Sequence, residues 1–153
     1  KKKKMSIINM AKTIKEVHPE YVIIYKVGEF YNCYNRDAYI LSYLMEYSIR
    51  AVSKNNYVTG FPKNSLNKVK AKLENRKINY LCLDPRNNYY EDEKSDNGNL
   101  NKYNEIFPKA NEYVKKKRAI ENISDELEEK IYEENFWKII TKIKGTINER
   151  GEI

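Results

Sequence analysis

Two apolar runs separated by a two-residue turn commit the early part of this chain to a sheet. Tyr21-Val-Ile-Ile-Tyr-Lys-Val27 is rich in β-branched and aromatic residues, the composition of a buried strand. Gly28-Glu29 is a tight turn, and Phe30–Tyr34 reads as the returning strand of a hairpin.

The flanking segments supply helices and further strands. Ile7, Met10, Ile14 and Val17 recur at helical spacing on one face of a helix that begins after Ser6 and ends at His18-Pro19. Residues 37–49 fit a second helix, with Ala38, Leu41, Leu44, Met45 and Ser48 on one side. Lys54-Asn55-Asn56 reads as a loop and 57–60 as a short strand. Asn64 or Ser65 can cap a third helix over 64–75, with Leu66, Val69 and Leu73 along its inner face. A last strand over 78–83 stops at Asp84-Pro85. The expected fold is α/β (α+β): a small mixed β-sheet of 21–27, 30–34, 57–60 and 78–83 flanked by helices 6–17, 37–49 and 64–75.

Composition changes after Arg86. Residues 87–102 hold asparagines, acids and almost nothing aliphatic, so they read as a linker or long loop. Residues 103–153 read as a helical extension forming a C-terminal helical hairpin, one helix to about Asn122 and a second starting at Ser124. An apolar stripe of Leu127, Ile131, Phe136, Ile139, Ile140, Ile143 and Ile147 runs along the second.

Of the 153 residues, 33% are charged and 41% hydrophobic, which reads as soluble and globular; the predicted location is cytoplasmic. No apolar run approaches the length of a membrane span, and Lys1–Lys4 lack the apolar core of a signal peptide, so no membrane association is expected. Cys33 and Cys82 sit in strand-like surroundings and read as buried thiols, although spacing alone leaves a disulfide open. A single histidine, two cysteines 49 positions apart and no glycine-rich phosphate loop exclude the common zinc, histidine-based and nucleotide-hydrolysing arrangements. Glu29, Asp37 and Asp84 read as turn and cap carboxylates rather than a metal cluster. The chain is expected to be no enzyme and to hold no cofactor or metal.

Charge is unevenly spread. Residues 1–86 carry 17 Lys/Arg against 7 Asp/Glu, a balance of +10, while residues 87–153 carry 12 against 15, a balance of −3. The basic half suits phosphate and the acidic half a basic protein. Lysine-rich usage from an AT-rich genome is a second source for the high pI, and it explains the asymmetry less easily.

The stretch His18–Ala38, with Val-Gly-Glu-Phe-Tyr-Asn over Val27–Asn32, resembles the signature of MutS domain I. Ser48-Ile-Arg50, Val58-Thr-Gly-Phe-Pro62, Leu66–Leu73 and Ile78–Pro85 follow in the family's order, so the resemblance covers about residues 12–86. It implies a mismatch-reading fold standing without the family's ATPase machinery. Phe30 takes the position of the family's wedging phenylalanine, whereas Asn32 takes that of its glutamate and Lys63-Asn64 that of its Tyr-His. The implied nucleic-acid-binding set is Phe30, Asn32, Tyr31, Lys26, Lys63, Asn64 and Lys68. Two readings stay open for these residues: Phe30 as a wedge or as a core residue, and the lysines as phosphate contacts or as a solvated face.

The function this implies is a nucleic-acid-binding accessory protein, acting on DNA or RNA within a larger complex. The resemblance further implies a partner such as a reverse transcriptase or other nucleic-acid enzyme, as for the MutS-like accessory of a diversity-generating retroelement. The alternative is a protein–protein adaptor that uses the fold without direct base recognition.

Overall fold

The computed structural model describes residues 6–95 and 101–149. They form α1 (Ile7–Val17), β1 (Val22–Val27), β2 (Phe30–Tyr34), α2 (Arg36–Met45), β3 (Arg50–Ser53) and β4 (Asn56–Pro62). There follow α3 (Leu66–Asn75), β5 (Tyr80–Asp84), β6 (Tyr90–Lys94), α4 (Asn101–Glu129) and α5 (Phe136–Ile147). The chain divides into two compact units, Lys1–Val114 and Lys115–Ile153.

In the first unit the described strands make one mixed sheet in the order β3-β4-β2-β1-β5-β6. Only the central β1–β5 pair is parallel, with Val22 opposite Tyr80 and Tyr25 opposite Leu83. Alternation along β1 splits its side chains between two apolar layers. Val22 and Ile24 join Tyr31, Cys33, Phe61 and Cys82 beneath α2, α3 and the start of α4. Ile23 and Tyr25 point the other way, into a smaller layer with Leu81, Leu83 and Ala11 of α1. Ser6 caps α1 by accepting from the Asn9 backbone N–H, as its position before the apolar repeat predicts.

The sheet is wider than the sequence suggests. Residues Tyr90–Lys94, within the stretch read as a linker, pair antiparallel with β5. Their polar sequence hid them because an edge strand with exposed faces needs no apolar alternation. Arg50–Ser53 is likewise a strand, not the end of a helix plus loop. The helix predicted to 49 stops at Met45, where Glu46 turns left-handed at φ 60°. The Ser48 carbonyl then accepts from the Thr59 hydroxyl at 2.8 Å, drawing the segment against β4.

The C-terminal region is two helices, but the break lies elsewhere than predicted. Ser124 is interior to α4, which runs unbroken to Glu129. Successive short-range bonds, such as Lys130 N–H to Leu127 C=O and Glu133 N–H to Lys130 C=O, form the turn instead. A cap-forming residue permits a helix start without forcing one, and nothing around Ser124 breaks the preceding helix. The division between units also falls inside α4 rather than before it. Tyr103, Ile106 and Ala110 are buried in the first unit's core, with Val114 buried at its end.

One buried polar junction ties these elements together. Asp37, 4% exposed, accepts from Lys15 Nζ at 2.7 Å, from the Ile23 backbone N–H at 3.2 Å and from the Tyr103 hydroxyl at 2.6 Å. A buried carboxylate without such partners would be expelled or neutralised; here α1, β1 and α4 each supply a donor. Both cysteines are free and buried.

Candidate nucleic-acid interface

The hairpin Val27-Gly-Glu-Phe30 determines where the candidate wedge sits. Gly28 has φ +63°, the left-handed conformation that allows two residues to reverse the strand. Phe30 opens β2 opposite Val27 on one side and Pro62 of β4 on the other. Phe30 is 54% exposed, so it is not a core residue. The Lys63 backbone N–H donates to the Glu29 carbonyl at 3.0 Å and closes this end of the sheet. The sequence therefore places Lys63, through Pro62, next to Phe30.

Asn32 lies on the same face of β2, two residues from Phe30. Its amide Nδ2 donates to the Tyr34 hydroxyl oxygen at a long 3.4 Å. It faces Gly60 across the β2–β4 pair, and a Cβ there would stand 2.5 Å from Asn32 Oδ1. The bare glycine is what lets the amide lie across the strand. Burial pushes the Tyr34 phenol up from its ordinary value, while the Asn32 bond and the Arg50 charge pull the other way. Arg50, exposed on β3, is a cation at this face that the sequence reading missed, since residues 50–53 were not recognised as a strand.

The other predicted residues divide by face. Tyr31 is buried, its ring stacked on Phe61 with centroids 5.7 Å apart, so it belongs to the core rather than to a binding surface. Lys26 pairs with Tyr31 and shares its face, opposite to that of Phe30. Lys68 is exposed on α3, which packs on the Tyr31 side of the sheet. Asn64 is exposed in the 3₁₀ turn Lys63–Ser65, beside Lys63. Ser65 precedes α3 without a side-chain capping bond. The arrangement thus brings Phe30, Asn32 and Lys63 to one end of the sheet, with Asn64 following Lys63 in the chain, and sets Lys26 and Lys68 apart.

Electrostatics at this end are mixed. Lys63 Nζ lies 4.0 Å from the Glu29 carboxylate, with both side chains well exposed, so the pair contributes little and leaves Lys63 available to another anion. Of the carboxylates weighed as metal ligands, Glu29 faces Lys63, Asp37 is the buried junction, and Asp84 accepts from the Arg86 backbone N–H at 3.0 Å. Among the described residues no group of three histidine, cysteine or acidic side chains is placed to hold a metal ion. No described helix is long and apolar enough to cross a membrane.

The family model described as MutS domain I matches residues 6–80. That span runs from the cap of α1 to the first residue of β5 and contains Phe30, Asn32, Lys63, Asn64 and Lys68. No curated protein matches the chain.

Proposed function

Residues 6–80 belong to the MutS domain I family, a mismatch-recognition type of domain, and from that premise we propose that the chain is a non-enzymatic nucleic-acid-binding module. In this reading Phe30 stacks on or wedges beside a base while Lys63 neutralises phosphate. The observation that carries it is the exposure of Phe30. A phenylalanine over half exposed at the end of a strand, near a lysine and an asparagine amide, offers a base both a π-face and polar partners.

Asn32 sets the character of the contact. An ionised glutamate only accepts hydrogen bonds, whereas an asparagine amide accepts and donates and carries no charge to repel phosphate. Base reading through Asn32 is therefore more permissive than through the family's glutamate. A wedge alone costs a few kcal/mol of unstacking and needs surrounding contacts to hold a bent duplex. We infer that the module works within a larger assembly, with a reverse transcriptase or another nucleic-acid enzyme as the kind of partner the resemblance implies. The adaptor reading draws its support from the exposed apolar helices of the second unit.

Binding of the full chain to labelled duplex and single-stranded oligonucleotides, across a salt series, tests the proposal. Phe30→Ala is expected to weaken binding by about 5- to 150-fold, the equivalent of roughly 1–3 kcal/mol of stacking, at unchanged salt slope. Lys63→Ala is expected to flatten the slope by about one contact's worth. Binding that ignores both substitutions would move the contact away from Phe30 and Lys63, and a wild type that binds none of the oligonucleotides would transfer the function to the adaptor reading.

A further inference from the structure

The second unit has a surface that its own residues do not cover. From Lys115 to Glu149 every residue is at least partly exposed. Ile120, Trp137 and Ile147 are 66%, 74% and 74% exposed, and an open apolar groove lies between Ile120 and Ile123 of α4 and Ile143 and Ile147 of α5. Two helices alone have only one side each to bury against the other, so such a stripe calls for further helices.

Charge indicates which helices these are. That groove places residues 119–123 beside 143–147, so the hairpin has an open end and a turn end. The open end, residues 115–124 and 139–149, carries six basic side chains (Lys115, Lys116, Lys117, Arg118, Lys142, Lys144) against Glu121 and Glu149. The turn end, residues 125–138, carries Asp125, Glu126, Glu128, Glu129, Glu133 and Glu134 against Lys130 and Lys138. The ends are thus +4 and −4, and the hairpin is electrically self-complementary when one copy is laid antiparallel on another. A two-fold axis does this, setting each basic end beside the partner's acidic end and the two stripes face to face.

We propose that residues 115–149 form the interface of a homodimer, two hairpins closing antiparallel into a four-helix bundle. The helical part of α4 in this unit spans about 22 Å and α5 about 18 Å at 1.5 Å per residue. A face of that length and two helices wide is below the size of a large obligate interface, so the dimer dissociates on dilution, at micromolar concentration.

Sedimentation equilibrium of the full chain between about 1 and 200 µM tests this, a range that brackets micromolar affinity. The wild type is expected to pass from monomer to dimer within it. Lys116→Glu with Lys117→Glu takes the basic open end from +4 to 0, and Glu128→Lys with Glu129→Lys takes the acidic turn end from −4 to 0, so each variant keeps one charged end that only the other variant can complement. All four positions are exposed, so circular dichroism should report an unchanged fold. Each double variant alone is expected to dimerise at least about tenfold more weakly, and an equimolar mixture of the two to dimerise again. A wild type that stays monomeric to the top of the range would overturn the proposal. So would double variants that dimerise as well as wild type, or a mixture that stays monomeric.

Discussion

The Tyr103 hydroxyl donates to Asp37 at 2.6 Å, joining residues 66 positions apart in the chain. Burial and the neighbouring carboxylate both push the Tyr103 phenol far above its ordinary value, so at any ordinary pH it remains a donor. Tyr103→Phe keeps the ring and removes that donor. It is expected to cost about 1–3 kcal/mol, read as a lower urea midpoint at unchanged m-value. Lys15→Met removes the charged partner as well and is expected to cost more, about 3–5 kcal/mol.

The same junction decides where the chain tolerates shortening. A protein ending at Val114 keeps β6 and the buried Tyr103, Ile106 and Ala110, and is expected to melt cooperatively. A protein ending at Arg86 loses a strand and one wall of the core. It is expected to show no cooperative melt in circular dichroism, and a sharp transition in that shorter form would contradict the packing described for α4.

Tyr25 makes the opposite point. Its side chain is 1% exposed, and its hydroxyl has no hydrogen-bond partner among the described residues. It borders a cavity of about 260 Å³ shared with Tyr34, Arg36 and residues of α1. Tyr25→Phe discards an unsatisfied polar atom and keeps the ring, so it is expected to leave stability unchanged or raise it by about 1–3 kcal/mol. A clear fall in melting temperature would reveal a partner for that hydroxyl.

Alkaline pH should weaken the fold before acid does so through these groups. Burial pushes the Cys82 thiol from 9.0 up to about 12 and raises Cys33 as well. A folded-state value above the unfolded one means stability is complete below pH 9 and is lost as pH rises towards the folded value. Each such group removes about 1.4 kcal/mol per pH unit within its window. Melting temperature is expected to fall from about pH 9 upward, and Cys82→Ala to show a shallower fall despite its lower starting point.

At the candidate interface, Asn32→Glu restores the family's residue. It is expected to weaken binding to fully paired duplex through charge repulsion, while raising the preference for a mispaired one. Competition between matched and mismatched oligonucleotides reads this directly. An unchanged ratio would mean that position 32 does not reach the base.

Legibility in the sequence followed burial. Strand β1 could be read because it is apolar on both faces, β2 because a tight turn returns it with Tyr31 and Cys33 on an inner face, and α1 because Ser6 and a regular apolar repeat mark it. Strands β3 and β6 could not, since Arg50–Ser53 and Tyr90–Lys94 pair along mostly exposed positions and carry no apolar alternation. At the site, a residue's place in the motif was readable but not the direction it faces. Phe30 and Tyr31 are adjacent, and only strand alternation sends one to the surface and the other against Phe61. The partners of Asn32 came through Gly60 and Tyr34, which no spacing in the sequence brings next to it.

Strand β6 bears on how such a sheet survives in a crowded solution. An open edge offers unpaired backbone to any neighbouring strand and is a seed for aggregation. At the edge beside β5 the outermost strand is Tyr-Glu-Asp-Glu-Lys, and its register slips opposite Cys82 and Leu83. Three adjacent carboxylates repel a second copy of the same edge, and the irregular pairing denies it a flat template. The least sheet-like segment of the domain thereby closes the edge that lies beside the apolar β1–β5 centre to polymerisation.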